Sequence, residues 1–551
     1  MLCTRLLVLA LAVLASACST ERQEVSVADV NAARLTADAE PHNWLAHGRT
    51  YSEQRFSPLS QVKDTNVSQL GLAWYADLGT HRGLEATPIV VDGVMSLSGA
   101  WNNIYALDAR TGKMLWHYDP QTSREWVAKY SCCDAVSRGV AVWQGKVIAA
   151  TLDGRLFALD TVSGERIWEV LTIDRERPYT ITGAPRVIQD KVIIGNSGAD
   201  YGVRGYVSAY SVDNGELIWR FYTVPGDPDR PQESATLEMA LATWQGDEWH
   251  RTGGGGTVWN SMAFDPELNL LYFGVGNGTP WSRELRSPGG GDNLFLSSIV
   301  AVNPDNGAYV WHYQTTPGES WNYSAVESMV LTELTIDSQL RKVLIQAPKN
   351  GFFYVLDRTT GELISAEKYI PLNWASHVDM KTGRPVEYPY AHYISEGRLI
   401  VPGPSGGHSW HPMAYSPQTG LAYIPALSVP GYYSHDGSYS YKAGFQNTGI
   451  EEGTTDFKAL NPQGERQKLK FGVQLLAWDP QTQSERWRVE HQDLGGGTLA
   501  TAGNLVFQGL GTGEFAAYNA VTGDKLWAFQ SGTSIMAGPV SFAIDDEQYI
   551  A

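Results

Sequence analysis

Cysteine is scarce, with four in 551 residues. Two of them fall in the first 18 positions and two are adjacent, which excludes a disulfide-stapled scaffold. Positive charge is also short. Forty-one Lys and Arg face 59 Asp and Glu, for a formal net charge of −18. No basic run stands out, so the chain lacks the electrostatic footprint of a nucleic-acid binder. Charged residues reach only 18% while hydrophobic ones reach 43%, which excludes a disordered chain. Beyond residue 17 no apolar run is long enough to span a bilayer.

The first 17 residues do carry an apolar run, after a single Arg5 and before Ala15-Ser-Ala17. That is the pattern of a secretory signal. Cys18 leaves two readings open: plain cleavage after Ala17, or a bacterial lipoprotein with the lipid on Cys18. Membrane contact would then run through that lipid alone. Either way the destination is export, most simply the periplasm. Residues 18–40 read as a polar tether and 41–551 as the folded body.

Nineteen Trp stand out in the body. Several of them end a repeat, Ala-hydrophobic-Asp/Asn-x-x-x-Gly-x-x-x-Trp. It occurs as Ala106 to Trp116 and Ala158 to Trp168, and again at 209–219, 301–311 and 517–527. Weaker copies lie at 355–365 and 477–487. Runs such as 145–154 before each clear copy read as a β-branched strand, a turn and a second strand. The pattern predicts an all-β propeller. Asp and Gly build a turn between strands, and the indole seals one blade against the next. Insertions fall at 225–260 and 365–475, and a funnel is expected at the axis.

Cys132-Cys133 sit in Tyr130-Ser-Cys-Cys-Asp-Ala-Val-Ser-Arg138. In an exported chain such a pair is expected to close on itself as a disulfide, a ring usually kept for a functional site. Further motifs follow in order: Glu53 to Pro58, Glu85-Ala-Thr-Pro88, Gly202-Val-Arg-Gly205, Gly253 to Trp259, Gly276 to Trp281, Gly291 to Leu294, and Gln346 to Gly351. Together they resemble the pyrroloquinoline-quinone (PQQ) dependent alcohol dehydrogenases over some 500 residues. The resemblance implies an eight-bladed propeller with tryptophan-docking repeats. It also implies that the chain stops in mid-strand at Ala551, short of a completed last blade.

By the same resemblance, PQQ lies between the Cys132–Cys133 disulfide and Trp259. Arg138 and Lys349 contact it, Lys349 near the quinone oxygens. Glu85, Thr182, Ser197 and Ser409 match further cofactor-binding positions, Ser409 standing where relatives carry Asn. The family's metal is held by Glu, Asn and Asp. Here those positions are Asp200, Asn277 and Asn322. The Asp at the third position is the family's proton acceptor, a role an amide cannot fill. The ligand set thus falls to one carboxylate. Ser324 stands where lanthanide-dependent relatives carry an extra Asp, so Ca2+ is the expected metal and a lanthanide the less expected one. Asp292 and Glu327 are carboxylic neighbours in sequence with no assigned place.

The implied reaction is oxidation of a small alcohol. No Cys-x-x-Cys-His occurs, so no haem c domain is expected and electrons would pass to a separate periplasmic cytochrome c or other acceptor. The alternative is a catalytically weakened propeller serving as a binding or scaffold lipoprotein. The substitution at 322 favours that alternative, and the pairing of Cys132-Cys133 with Trp259 disfavours it.

Overall fold

A computed structural model describes residues 28–36, 40–451 and 472–551. The leader, Cys18 and most of the 18–40 tether lie outside the described residues. The body is all-β, with a few short helices in its loops. Six antiparallel four-stranded sheets and one five-stranded sheet follow one another along the chain. We number them as blades 1 to 7.

Blade 1 runs from Ile89–Val91 to Met114–Tyr118, blade 2 from Ala141–Trp143 to Arg166–Leu171, and blade 3 from Arg186–Ile188 to Leu217–Tyr222. Blade 4 runs from Met262–Asp265 to Tyr309–Gln314 and blade 5 from Met329–Ile336 to Leu363–Lys368. Blade 6 runs from Ala414–Ser416 to Ser484–His491, and blade 7 from Gly495–Thr501 to Lys525–Gln530.

The repeat has one structural meaning in its clear copies, and its register shift recurs in all seven blades. Its Ala or Val ends the regular ladder, and a register shift follows directly, as between Ala106 and Leu107, Ala158 and Leu159, and Ala517 and Tyr518. Such a bulge sharpens the twist at the outer edge. The Asp or Asn then accepts from the turn, as Asp108 Oδ1 does from the Thr111 amide at 2.9 Å. The Gly takes a left-handed backbone, φ 70° at Gly112 and 72° at Gly164. A Cβ at Gly164 would lie 2.7 Å from the Trp116 ring, so the indole rests on the turn of the next blade. The Trp116 indole N–H also donates to Thr161 O at 2.9 Å. Trp168 repeats the contact on Gly215 with Val212 O, and Trp219 repeats it on Gly307 with Pro304 O.

The two weaker copies meet at a single junction. Ser365 replaces Trp on blade 5 and Gln483 replaces Gly on blade 6, and Gln483 Nε2 donates to Ser365 Oγ at 2.8 Å. A hydrogen bond stands there where the other junctions stack an indole on a glycine.

The expected blade count is corrected by the topology. Seven blades form among the described residues, not eight. After the 517–527 repeat only a two-stranded hairpin follows, Ser541–Ile544 with Glu547–Ile550. The N-terminal strand Phe56–Ser57 pairs in parallel onto blade 7 at Ala500 and Thr501, so it builds no sheet with that hairpin. Two strands cannot cover both faces as a four-stranded blade does. The space between blades 7 and 1 is instead a cavity of about 750 Å³ walled by Trp74, Trp527, Phe542 and Tyr549.

The Glu53–Pro58 motif ties this closure. Arg55 is buried and donates to Thr498 O, His47 O and Pro539 O at 2.7 to 3.0 Å. Glu53 pairs with Arg186 at 2.7 Å.

Candidate active site

The entry segments of successive blades pair around the axis. The Thr87 amide donates to Arg138 O at 3.2 Å, and the Arg138 amide donates to Thr182 O at 3.1 Å. This backbone walk brings together four of the expected residues. Arg138 Nη2 lies 3.1 Å from Glu85 Oε2, and Arg138 Nη1 donates to Thr182 Oγ1 at 2.7 Å. Thr182 Oγ1 and Ser197 Oγ share a hydrogen bond of 2.9 Å. All four are buried. Burial pushes the Glu85 carboxyl up against the pull of Arg138, and pushes Arg138 down against the pull of Glu85. Arg138 Nε is buried without a hydrogen-bond partner. Leaving such a donor unmet costs about 1–3 kcal/mol, which points to a ligand acceptor.

Two indoles flank the Arg138 guanidinium, whose carbon lies 5.1 Å from the ring centres of both Trp259 and Trp410. Trp259 is delivered by the glycine run. Gly255 has φ 82°, and a Cβ on it would lie 2.5 Å from Asn277 O. Only glycine allows that approach, and it sets Trp259 and Asn277 on adjoining strands of backbone. Trp410 stacks on His411 at 4.0 Å.

Cys132 and Cys133 are joined as a vicinal disulfide, and both are exposed. Their loop is held by Ser131, whose hydroxyl donates to Asp134 O, and by an Arg82–Asp134 ion pair. The Tyr201 hydroxyl reaches Ser131 O at 3.5 Å, which links the disulfide loop to the segment carrying Asp200.

Asp200 and Asn277 meet directly. The Asn277 amide N–H donates to Asp200 Oδ1 at 3.0 Å, and the Trp281 indole donates to the same oxygen at 2.8 Å. Burial nevertheless raises the Asp200 carboxyl, with Trp281, Asn277 and Lys349 opposing. Asn322 is not joined to this pair. It sits in the left-handed region at φ 64°, and its side chain makes no hydrogen bond among the described residues.

Glu319 fixes the loop that carries Asn322. Its carboxylate accepts from the amides of Gly278, Trp321 and Tyr323 at 2.8 to 3.1 Å. One buried side chain therefore ties the Asn277 turn to the Asn322 turn. Lys349 is buried and donates to Pro404 O at 3.0 Å. Burial lowers it, while Glu327, Asp200 and Glu319 raise it, in that order. Ser409 makes no side-chain hydrogen bond among the described residues and enters the site only as the neighbour of Trp410. Asp292 is elsewhere, paired with Arg384 at 2.7 Å.

Trp410, Trp281, Glu319 and Glu327 were not legible as site residues. Trp410 had a signal in Gly407-His-Ser-Trp-His411. Glu319 had none, because a carboxylate that accepts backbone amides carries no spacing rule.

Comparison with known proteins agrees with this geometry. Residues 44–373 match the family model described as glucose/ethanol/alcohol dehydrogenase, beta-propeller domain. Residues 472–551 match a model described as outer membrane protein assembly factor BamB. The chain is 55% identical over 510 residues to quinohemoprotein alcohol dehydrogenase ADH IIB of Pseudomonas putida, covering 92% of this chain and 72% of that protein. It is 48% identical to quinohemoprotein alcohol dehydrogenase of Comamonas testosteroni, covering 97% of this chain and 75% of that one. The solved structure of ADHIIG from Pseudomonas putida superposes with a TM-score of 0.91 at 52% identity, over 96% of this chain and 78% of that one. The fold, the axial site and these likenesses agree: this chain belongs to the PQQ-dependent alcohol dehydrogenase family.

Proposed function

We propose that this protein oxidises a small alcohol to its carbonyl product with PQQ at the axial site, passing electrons to a separate cytochrome c or other acceptor. One observation carries the reading. The buried Glu85–Arg138–Thr182–Ser197 network leaves Arg138 Nε unmet beside Trp259, and a flat cofactor bearing carboxylates fits both features. When bound, PQQ supplies the two-electron acceptor for the carbon-bound hydrogen.

The chain's own residues do the rest. Trp259 and the Cys132–Cys133 disulfide would flank the cofactor plane and exclude water. Arg138, with Thr182 and Ser197 behind it, would meet carboxylate charge, and Ser409 would lie at the edge beside Trp410. Lys349 would hold a positive charge where electron density builds. A cation would be held by Asp200 and Asn277, with Asn322 as the third oxygen donor. Oxygen donors suit Ca2+, and Ser324 in place of a further carboxylate disfavours a lanthanide. Asn322 cannot accept a proton, so its role is limited to metal and substrate positioning.

The signal-like pattern at 1–17 supports export to the periplasm; of the two readings of Cys18, plain cleavage after Ala17 or lipidation, the second would add a membrane link. Among the described residues no helix is long and apolar enough to cross a membrane. A scaffold would use neither the vicinal disulfide nor the unmet Arg138, so the scaffold reading is not favoured.

The test is reconstitution of purified protein with PQQ and Ca2+. Quinone absorbance retained after gel filtration, together with alcohol-dependent dye reduction, is the expected result. Retention of no cofactor, and no reduction with any alcohol, overturns the reading.

A further inference from the structure

The inner ends of blade 5 hold a carboxylate that the proposed chemistry leaves unused. The first two strands of that blade pair Met329 with Gln346. Glu327 lies two residues before that pair and Lys349 three residues after it. The Gln346 side chain donates to Ala325 O at 2.7 Å and to Glu327 O at 2.8 Å, clamping the entry segment against the strand that leads to Lys349.

Glu327 is 0% exposed. Its Oε1 accepts from the Ser324 hydroxyl at 2.7 Å, while Oε2 is buried with no hydrogen-bond partner. The charged and titratable groups facing it are Lys349 and Tyr369, whose hydroxyl donates to Pro348 O at 2.8 Å. Those facing Lys349 are Glu327, Asp200 and Glu319. An isolated buried carboxylate is costly, and Lys349 is the cation that faces Glu327, while Glu327 is the first of the three carboxylates that face Lys349.

We propose that Glu327 is the counter-charge of Lys349, a positioning residue that keeps the ammonium charged at the axial site. The proposal rests on the reading of Lys349 as the site's cation. Glu327 also adds a buried carboxylate five residues after Asn322, the position that has lost its negative charge. Burial pushes the Glu327 carboxyl up to about 7, with Lys349 and Ser324 resisting. Above that pH the pair is ionised, until Lys349 gives up its proton.

The test uses cofactor-free protein and trace acetylation with acetic anhydride, read at Lys349 by mass spectrometry across pH. Only the neutral amine reacts. Glu327→Gln should lower the labelling midpoint by about one to three pH units, because an opposite charge buried with Lys349 is lost. Labelling at a fixed pH below the midpoint then rises about tenfold or more. Glu327→Asp should restore the midpoint towards wild type. In reconstituted enzyme, the alkaline limb of kcat should move down in step. An unchanged midpoint in folded Glu327→Gln overturns the proposal. If that variant does not fold, Ser324→Ala serves, since freeing Oε1 weakens the carboxylate and should also lower the midpoint; no movement there overturns it equally. Labelling needs no PQQ, so failure of reconstitution with a normal midpoint shift counts against the alcohol-oxidation reading and not against the pair.

Discussion

The guanidinium carbon of Arg138 lies 5.1 Å from the centre of the Trp259 indole, while its Nη2 stands 3.1 Å from Glu85. One side chain is thus both a cation facing an aromatic plane and the partner of a buried carboxylate. Arg138→Ala should weaken PQQ binding by about 2–5 kcal/mol, because a cofactor carboxylate would lose its charged partner. Titration of PQQ into the apoprotein, followed by tryptophan fluorescence, measures it. Arg138→Lys should recover part of the affinity but not the contact with Thr182.

On the proposed reading, in which Cys132–Cys133 flanks the cofactor, reduction of the disulfide removes a rigid surface beside it. Mild dithiothreitol treatment, or Cys133→Ser, should speed PQQ release about tenfold or more while the circular dichroism of the propeller is kept. Release measured by gel filtration at intervals decides it.

Trp168 tests the blade seal away from the site. Its indole rests on Gly215 and donates to Val212 O at 3.0 Å. Trp168→Ala should cost about 3–5 kcal/mol of stability through the cavity and the lost hydrogen bond. Thermal denaturation should show a lower Tm, with PQQ affinity at low temperature unchanged.

His411 sets a pH dependence. It is buried, and burial pushes its imidazole down to about 3, with His408 and Arg138 adding to the shift. A depressed value means that the contribution to stability is present above the unfolded value of about 6.5 and is lost as pH falls towards 3. The loss is on the order of 5 kcal/mol across that window. Urea unfolding of cofactor-free protein at pH 7 and pH 4.5 should show roughly half of it, and His411→Gln should flatten the difference.

Asn322→Asp adds one charge to the expected ligand set. The Ca2+ concentration for half-maximal activity should fall about tenfold, since affinity follows ligand charge. Removal of Ca2+ with EGTA should abolish turnover in both proteins. Equal Ca2+ requirements in the two would place Asn322 outside the metal site.

What lay in the sequence was local. The bulge after Ala106, the Asp108 turn and the left-handed Gly112 lie within seven residues of one another, so a fixed spacing records them. The Trp belongs to the same pattern because it stands four residues after the turn glycine of its own blade, as Trp116 does after Gly112. The vicinal disulfide was legible for the same reason, and the resemblance supplied Arg138, Thr182, Ser197, Asp200 and Asn277 as candidates.

Tertiary structure decided what no spacing encodes. Glu85, Arg138 and Thr182 are about one blade apart in sequence, and only the packing of successive blades makes them one network. Glu319 and Glu327 became part of the site through burial and backbone contacts made across loops. The blade count also changed at this level. A repeat counts the units that share a turn, but a blade exists only where four strands pair. The last hairpin has two, and Phe56–Ser57 pairs with blade 7.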